Sequence, residues 1–227
     1  MKFNRLYQAT FIERRNRFTV VVDLNGGPVE AHMANSGRLK DLLVRGRTVY
    51  LVKKDEPQRK TKYDIVLASL DTGLVSVDAR LPCDLVEEAL IECRLEPFRE
   101  YACFQREVTF GDSRLDFKLE NERTYLLEIK SVTKVRNGTA MFPDAVTARG
   151  SRHVRTLLEA RNQGYEAAVA FIAQREDVER FSPDDETDPA FGETLRDAAA
   201  RGLDIFAFKC QVSLKEIRIA GPIPVVL

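Results

Sequence analysis

Short runs of apolar and β-branched residues, separated by polar turns, fill the first third of the chain. This pattern is typical of half-buried strands, and it predicts strands over 17–24, 28–33, 48–52, 63–70 and 74–77, after an apolar stretch that ends at 11–12. Asn25-Gly26-Gly27 supplies the positive-φ residues of a hairpin turn. Three leucines share one side of a short helix predicted over 38–43. When the first apolar stretch is counted as a strand, the helix falls between the third and fourth strands. A small barrel of about five strands with a helix at that place is the OB pattern, and another small barrel is an open alternative.

From Pro82 onward, helical and strand patterns alternate. Asp84 is the predicted cap of a helix through Leu90, and further helices are predicted over 151–162 and 188–201. The predicted strands are 106–110, 114–119, 125–132, 167–173 and 205–208. A hairpin followed by alternating helices and strands gives a mixed sheet flanked by helices, an α/β (α+β) class. We therefore divide the chain into an OB-like domain over 1–80 and a second domain over 81–227.

The apolar runs are too short for a membrane span. The longest, 167–173, falls far below the ~20 residues that a spanning helix needs. The first residues lack the apolar stretch of a signal peptide, and the four cysteines form no C-x-x-C pair. We expect a cytoplasmic protein with reduced thiols, no zinc knuckle and no membrane partner.

Charge is distributed unevenly although the net charge is zero. Residues 1–80 hold 15 Lys/Arg and 9 Asp/Glu, a balance of +6, and residues 81–227 carry the opposite balance. This asymmetry favours a polyanion-binding first domain, with chance as the alternative.

The chemistry-bearing residues fall on the predicted hairpin of 114–119 and 125–132. A turn centred on Glu122 places Asp116 directly opposite Glu128, and Lys130 lies two residues along on the same face. Two carboxylates about 5 Å apart repel by about 3 kcal/mol at an effective dielectric of about 20. A proton, the Lys130 ammonium or a metal ion must compensate.

A hard divalent ion suits two carboxylates and the backbone carbonyl of Ile129, and it acidifies a bound water into a nucleophile. Lys130 is placed to orient that water or to stabilise charge on a phosphate. These parts predict a phosphodiester hydrolase. An ordinary cross-strand ion cluster is the alternative, because such spacing is common on solvated faces.

The pattern of an Asp, about a dozen residues and Glu-x-Lys resembles the PD-(D/E)xK nuclease superfamily. The whole chain resembles the sugar fermentation stimulation protein A family. The matching stretches, in order along nearly the full length, are RNRF (15–18), AHMANSGRL (31–39), QRKT (58–61), LVEEAL (85–90), REV (106–108), SRLDF (113–117), LEIKSVT (127–133) and FPDAVTARG (142–150), followed by His153.

The resemblance implies an OB-like domain, a nuclease-like domain and DNA binding. It assigns the metal acids to Asp116 and Glu128 and the catalytic lysine to Lys130, with Mg²⁺ or Mn²⁺ as cofactor. The superfamily often adds an acid from the first helix, for which we choose Glu88, with Glu87 as the alternative. Two departures stand out: Met33-Ala34 replaces an expected Cys-Pro, and Cys83 replaces an expected Asn. We place neither departure at the metal site.

Basic residues mark candidate contacts to nucleic acid in the first domain. Arg14, Arg15 and Arg17, with Phe18, suit a strand face that follows a phosphate backbone, although an edge strand also carries such charge for solubility. A second candidate set, at a predicted helix start that offers free N–H groups to an anion, is Asn35, Ser36 and Arg38.

The second domain adds further candidates. Arg149, Arg152 and His153 cluster at a predicted helix start, where the helix dipole disfavours cations in the absence of an anionic partner. Asp144 is a candidate to orient these arginines or to support the metal. Arg114 is predicted on the same strand face as Asp116.

The leading hypothesis is a nucleic-acid-binding, metal-dependent nuclease acting on DNA, with RNA open. The alternative is a non-cutting DNA-binding regulator linked to sugar (maltose) metabolism. A sugar-metabolism enzyme is disfavoured, because no glycine-rich phosphate loop or activated nucleophile is present. A homodimer is an open question.

Overall fold

The computed structural model describes residues 1–101 and 103–227. Six antiparallel strands build the first domain, in the order β3-β2-β1-β4-β5-β6, and a parallel bridge between His32 and Asp64 joins β3 to β5. The strands are β1 (Leu6–Asn16), β2 (Thr19–Leu24), β3 (Gly27–His32), β4 (Thr48–Lys53), β5 (Tyr63–Leu70) and β6 (Gly73–Ser76). The OB-like barrel predicted from the sequence is confirmed.

The helix predicted over 38–43 is wrong. The segment between β3 and β4 contains a turn in which the amides of Leu42 and Leu43 donate to the carbonyl of Leu39. Leu39 has a φ of 49°, outside the helical region. Leu39 and Leu42 are nevertheless buried in the barrel core. The spacing of the leucines therefore indicated which side chains are buried, but not a helix.

The second domain is centred on a mixed sheet in the order β15-β14-β12-β9-β8-β7. Its strands are β7 (Cys103–Phe110), β8 (Ser113–Glu120), β9 (Thr124–Val132), β12 (Glu166–Ala173), β14 (Asp204–Val212) and β15 (Ile217–Pro222). The central strands β9, β12 and β14 are parallel, and β12 is buried on both faces, as its continuous apolar run predicts.

Helices cover both faces of this sheet. One face packs against α1 (Leu81–Ile91), and the other packs against α2 (Ala148–Asn162) and α3 (Pro189–Ala200). A short 3₁₀ helix spans Glu96–Phe98. No helix within the described ranges is both long and apolar enough to cross a membrane.

Two predicted helix starts need correction. The first helix begins at Leu81, so Asp84 lies in its first turn and is not its cap. Helix α2 begins at Ala148, three residues early, because the Thr147 hydroxyl accepts from the amide of Gly150. The predicted start of α3 is confirmed, and the Asp188 carboxylate caps the helix by accepting from the amide of Phe191.

A small three-stranded sheet was not predicted. It comprises β10 (Lys134–Arg136), β11 (Thr139–Phe142) and β13 (Arg180–Pro183), in the order β10-β11-β13. These strands have three or four residues each, too few for a recognisable alternation. Strands β10 and β11 carry the chain from the end of β9 to the start of α2, across the mouth of the site described next.

Candidate functional site

The hairpin of β8 and β9 has the register predicted from its turn. Phe117 pairs with Leu127, and Glu120 pairs with Thr124 at the turn end. The same register continued by one residue sets Asp116 across from Glu128. One oxygen of Asp116, Oδ2, accepts from the backbone amide of Ile129 at 2.7 Å. The two acids predicted from spacing are therefore neighbours at the end of the hairpin.

Glu128 is almost wholly buried, at 4% exposure, and its two oxygens differ. Oε1 accepts from the Lys130 ammonium at 2.7 Å and contacts Nδ1 of His153. Oε2 is buried and has no hydrogen-bond partner within the described residues. A buried carboxylate oxygen without a donor is costly, so this atom is the one in the site that calls for a ligand.

The pKa values of the two carboxylates are shifted in opposite directions. Burial, reinforced by the nearby charge of Glu128, raises the pKa of Asp116 to about 6, despite opposing help from the Ile129 amide and Lys130. Burial acts in the same upward sense on Glu128, but Lys130 and His153 outweigh it and hold the pKa of Glu128 below its ordinary value. Glu128 therefore stays ionised to lower pH than Asp116 does. A bound cation would favour the ionised form of Asp116.

Cys83 touches the site, contrary to the expectation from sequence. Its thiol, on α1, lies beside the Asp116 carboxylate in the wall of the same cleft. Burial, with the charge of Asp116, raises the pKa of this thiol above its usual range, so it stays protonated. Nothing in the sequence indicated this contact, because Cys83 and Asp116 are 33 residues apart.

A cleft of about 420 Å³ lies over the carboxylates, within the range of about 300–1,000 Å³ that ligand sites occupy. The barrel supplies one side of the cleft, and the second domain supplies the other. The lining residues from the barrel side include Arg17, Asn35, Ser36 and Gly37, and those from the second domain include Asp116, Glu128, Lys130, Lys134, Asp144 and Arg149. The site is therefore built at the domain junction.

Loop 35–38 is held against Asp144, across the junction. The Asp144 carboxylate accepts from the amide of Leu39 at 3.4 Å and approaches Gly37 so closely that a side chain there would collide with it. Arg14 braces the same loop by donating to the carbonyls of Gly37 and Asn35. The structure thus gives Arg14 a set of backbone partners, in place of the open position on the strand face that the sequence suggested.

Asn35 and His153 are also engaged internally. Asn35 donates to the carbonyl of Val77 and accepts from the amide of Gly37, so its buried side chain shapes the loop. His153 is 3% exposed and contacts Glu128 and, at 3.3 Å, Nε of Arg149. The sequence placed His153 among nucleic-acid contacts, whereas the structure makes it a support for the acid.

Other predicted residues lie outside the cleft. Glu88, the chosen third acid, instead accepts from the N-terminal ammonium at 2.8 Å, and Glu87 pairs with Arg106. Glu88 faces the N-terminus and does not line the cleft, whereas Cys83 is a residue of α1 that does. Arg114 pairs with Glu107 at 3.6 Å and Arg15 pairs with Glu30, while Arg152 is exposed.

The donor set fits a hard divalent cation. Among residues 1–101 and 103–227, no group of three or more His, Cys, Asp and Glu side chains forms a ready-made metal cage. Two carboxylates and a backbone carbonyl, completed by water, are the open type of set that Mg²⁺ uses. The unpartnered Oε2 of Glu128 and the like-charged neighbour Asp116 both fit such an ion.

Fold and site together define a two-domain protein, in which an OB-type barrel and a mixed α/β domain enclose a carboxylate–lysine cluster. Two family models match the chain: the SfsA N-terminal OB domain over residues 12–77 and the sugar fermentation stimulation protein RE domain over residues 80–216. The chain belongs to the sugar fermentation stimulation protein (SfsA) family.

Relatives of similar length support this assignment. A sugar fermentation stimulation protein homolog from Clostridium perfringens (strain SM101) is 44% identical and covers 100% of both chains. Another from Moorella thermoacetica is 45% identical over 98% of this chain and 97% of its own length. The solved structure of Pyrococcus furiosus SfsA in complex with Ca²⁺ matches with a TM-score of 0.93 and 28% identity, over 100% of this chain and 98% of that one.

Proposed function

We propose that this protein is a divalent-metal-dependent phosphodiester hydrolase that acts on nucleic acid. One observation carries the proposal: Glu128 is a buried anion, and its Oε2 has no partner beside a second carboxylate, a lysine and an open cleft. The relative from Pyrococcus furiosus, described in complex with Ca²⁺, supports a divalent cation as the missing partner.

The residues that would hold the cation are Asp116, Glu128 and the backbone carbonyl of Ile129. When bound, such an ion supplies an acidified water and polarises the scissile phosphate. His153 and Lys130 fix Oε1 of Glu128, so the carboxylate keeps one orientation and its second oxygen stays available.

Lys130 has a second role towards the substrate. Its ammonium lies 2.7 Å from Glu128 and in the wall of the cleft, where it faces charge that accumulates on a phosphate. Hydrolysis adds the water oxygen to phosphorus and breaks one P–O bond, and the proton passes to the leaving oxygen. A fixed cation beside the phosphate stabilises this step more than it stabilises the starting diester.

Nucleic acid is the substrate class that the charges of the barrel side favour. Arg17 lines the cleft, and its guanidinium lies 5.4 Å from the ring centre of Phe18, which is 46% exposed. An arginine beside an exposed aromatic ring suits a phosphate and its neighbouring base.

Cleavage of labelled single-stranded and double-stranded DNA and RNA, with Mg²⁺, Mn²⁺ or EDTA, tests the proposal. We expect metal-dependent cutting by the wild type, a loss of about 10²–10³-fold in Lys130→Ala, and retained cutting in Lys118→Ala. Lys118 is a matched control, since it lies on the same hairpin and pairs with Glu120 at 2.6 Å. Binding without cutting, equal in all three proteins, would instead support a DNA-binding regulator.

A further inference from the structure

A second cleft continues from the first, and the two share a wall. Barrel residues 35–37 line the first cleft, and residues 38–42 line the second. On the opposite side, Thr133 and Lys134 line both clefts, as does Asp144. The second cleft has a volume of about 370 Å³, and the space over the carboxylates therefore extends along the barrel loop.

The second cleft combines an apolar surface with unpaired cations. The half-buried side chains of Leu70 and Val135 contribute most of the apolar part, because Leu39 and Leu42, which also line the cleft, are nearly buried. Arg38 and Lys40 are exposed, and across residues 1–101 and 103–227 neither side chain has an ion pair or a hydrogen bond.

The other cations of this cleft are already neutralised. Arg136 donates to both carboxylate oxygens of Glu186, at 2.6 and 2.9 Å. Arg175 is bound to Asp177 in the same way. Arg38 and Lys40 are thus the free cations of this cleft, which the carboxylates of Asp41 and Asp144 also line.

Lys134 marks the boundary between the clefts. Its ammonium is held by the buried carboxylate of Asp184 and by the hydroxyl of Thr187 at 3.1 Å. The shared wall is therefore fixed at the point where a bound chain would pass from one cleft to the other.

We infer that the second cleft binds the continuation of a single nucleic-acid strand whose scissile phosphate lies over Asp116 and Glu128. This rests on the proposed function and names its substrate class. An unstacked base fits an apolar surface, and its phosphates fit the free cations of Arg38 and Lys40. Cleft volumes of about 420 and 370 Å³ suit the nucleotides of one strand taken singly.

Affinity for a labelled single-stranded oligonucleotide, measured by fluorescence anisotropy with Ca²⁺ at several salt concentrations, tests the inference. Arg38→Ala with Lys40→Ala should weaken binding about tenfold and lower the magnitude of the salt slope by about 1.4, since each phosphate contact on a single strand contributes about 0.7. Lys2→Ala with Lys215→Ala is the matched control, since both lysines are exposed and line neither cleft, and it should behave as the wild type.

A second readout locates the strand. An oligonucleotide carrying a photoactivatable thymine should crosslink to the segment 38–42 or to Val135 in the wild type. Crosslinks confined to the first cleft, or an unchanged salt slope in the Arg38/Lys40 variant, would overturn the inference while leaving metal-dependent cutting intact. An equal loss of affinity for a blunt duplex would also overturn it. Absence of any cutting by the wild type would count against the proposed function instead.

Discussion

Two buried acid pairs in this protein are treated in opposite ways. Asp64 and Asp78, at the junction of the barrel and α1, are 1% and 4% exposed. Arg80 donates to both of them, and Arg59 also binds Asp64. Every carboxylate oxygen of this pair has a donor, so the pair is complete without any outside group.

The pair Asp116 and Glu128 is left incomplete. It has one lysine for two acids, a buried oxygen without a donor and a carboxyl whose pKa is raised to about 6. Arginines bind the carboxylates of the first pair, whereas no arginine in the described part of the chain binds the carboxylates of the second pair, 38 to 64 residues further along. The first pair is a structural ion cluster. The second pair has unfavourable electrostatics that a bound ligand would relieve.

The sharpest test of this contrast is Glu128→Gln. The amide keeps the shape but removes the anion that Lys130 and the cation need, so we expect single-turnover cleavage to fall at least about 10³-fold. Ca²⁺ binding, followed by calorimetry, should become undetectable. Glu120→Gln, an exposed acid on the same hairpin, is the control and should retain both properties. Normal Ca²⁺ binding by Glu128→Gln would show that the unpartnered oxygen is not a ligand.

Arg80→Ala is the equivalent test of the complete pair. Removal of Arg80 leaves Asp64 with Arg59 alone and Asp78 with only a backbone amide, so we expect unfolding in urea to become easier by about 2–3 kcal/mol, a figure reduced for the exposure of Arg80. Ca²⁺ affinity of the folded protein should stay the same. A loss of Ca²⁺ affinity at full stability would contradict the structural assignment of this cluster.

Asp116→Asn should stabilise the metal-free protein. An acid whose folded-state pKa is raised binds its proton more tightly when folded, so wild-type stability falls as pH rises from about 4 to about 6 and stays low above that. The amide carries no charge and still offers an acceptor to Ile129, so we expect a gain of about 1–2 kcal/mol at pH 7 and none at pH 4. Urea titrations at the two pH values, with EDTA present, measure this. If the substitution changed the stability equally at pH 7 and pH 4, the raised pKa of Asp116 would be contradicted.

The sequence was sufficient for the hairpin because its determinants are local. The turn after Glu120 sets the register, and buried Phe117 and Leu127 hold it, so the placement of Asp116 opposite Glu128 followed from spacing alone. The strands of the barrel were predictable for the same reason. The leucine pattern of 38–43 misled, because a single buried turn and a helix share the same short apolar spacing.

The supports of the site were not predictable, because they join distant segments. The contact of His153 with Glu128 spans α2 and β9, and that of Cys83 with Asp116 spans α1 and β8. Asp144 reaches the barrel loop more than a hundred residues away. Side-chain type gives no signal for such pairs, since each depends on how the whole sheet and its helices pack.

The smallest expected effect concerns the contact between Gly37 of the barrel loop and Asp144 of the second domain. A methyl group at Gly37 would lie 2.8 Å from Cγ of Asp144 and closer still to its oxygens, so Gly37→Ala must displace the loop or the carboxylate. We expect a loss of about 1 kcal/mol in stability and about fivefold in cleavage, because the loop lines the cleft that faces Lys130. Gly27→Ala, where a methyl meets no atom within 4 Å, should change neither.

Combining Gly37→Ala with Asp144→Ala removes the collision, so the two losses should not add. Strict additivity in that cycle would mean that the barrel loop tolerates the methyl without contacting Asp144, and that the barrel does not shape the cleft through this contact.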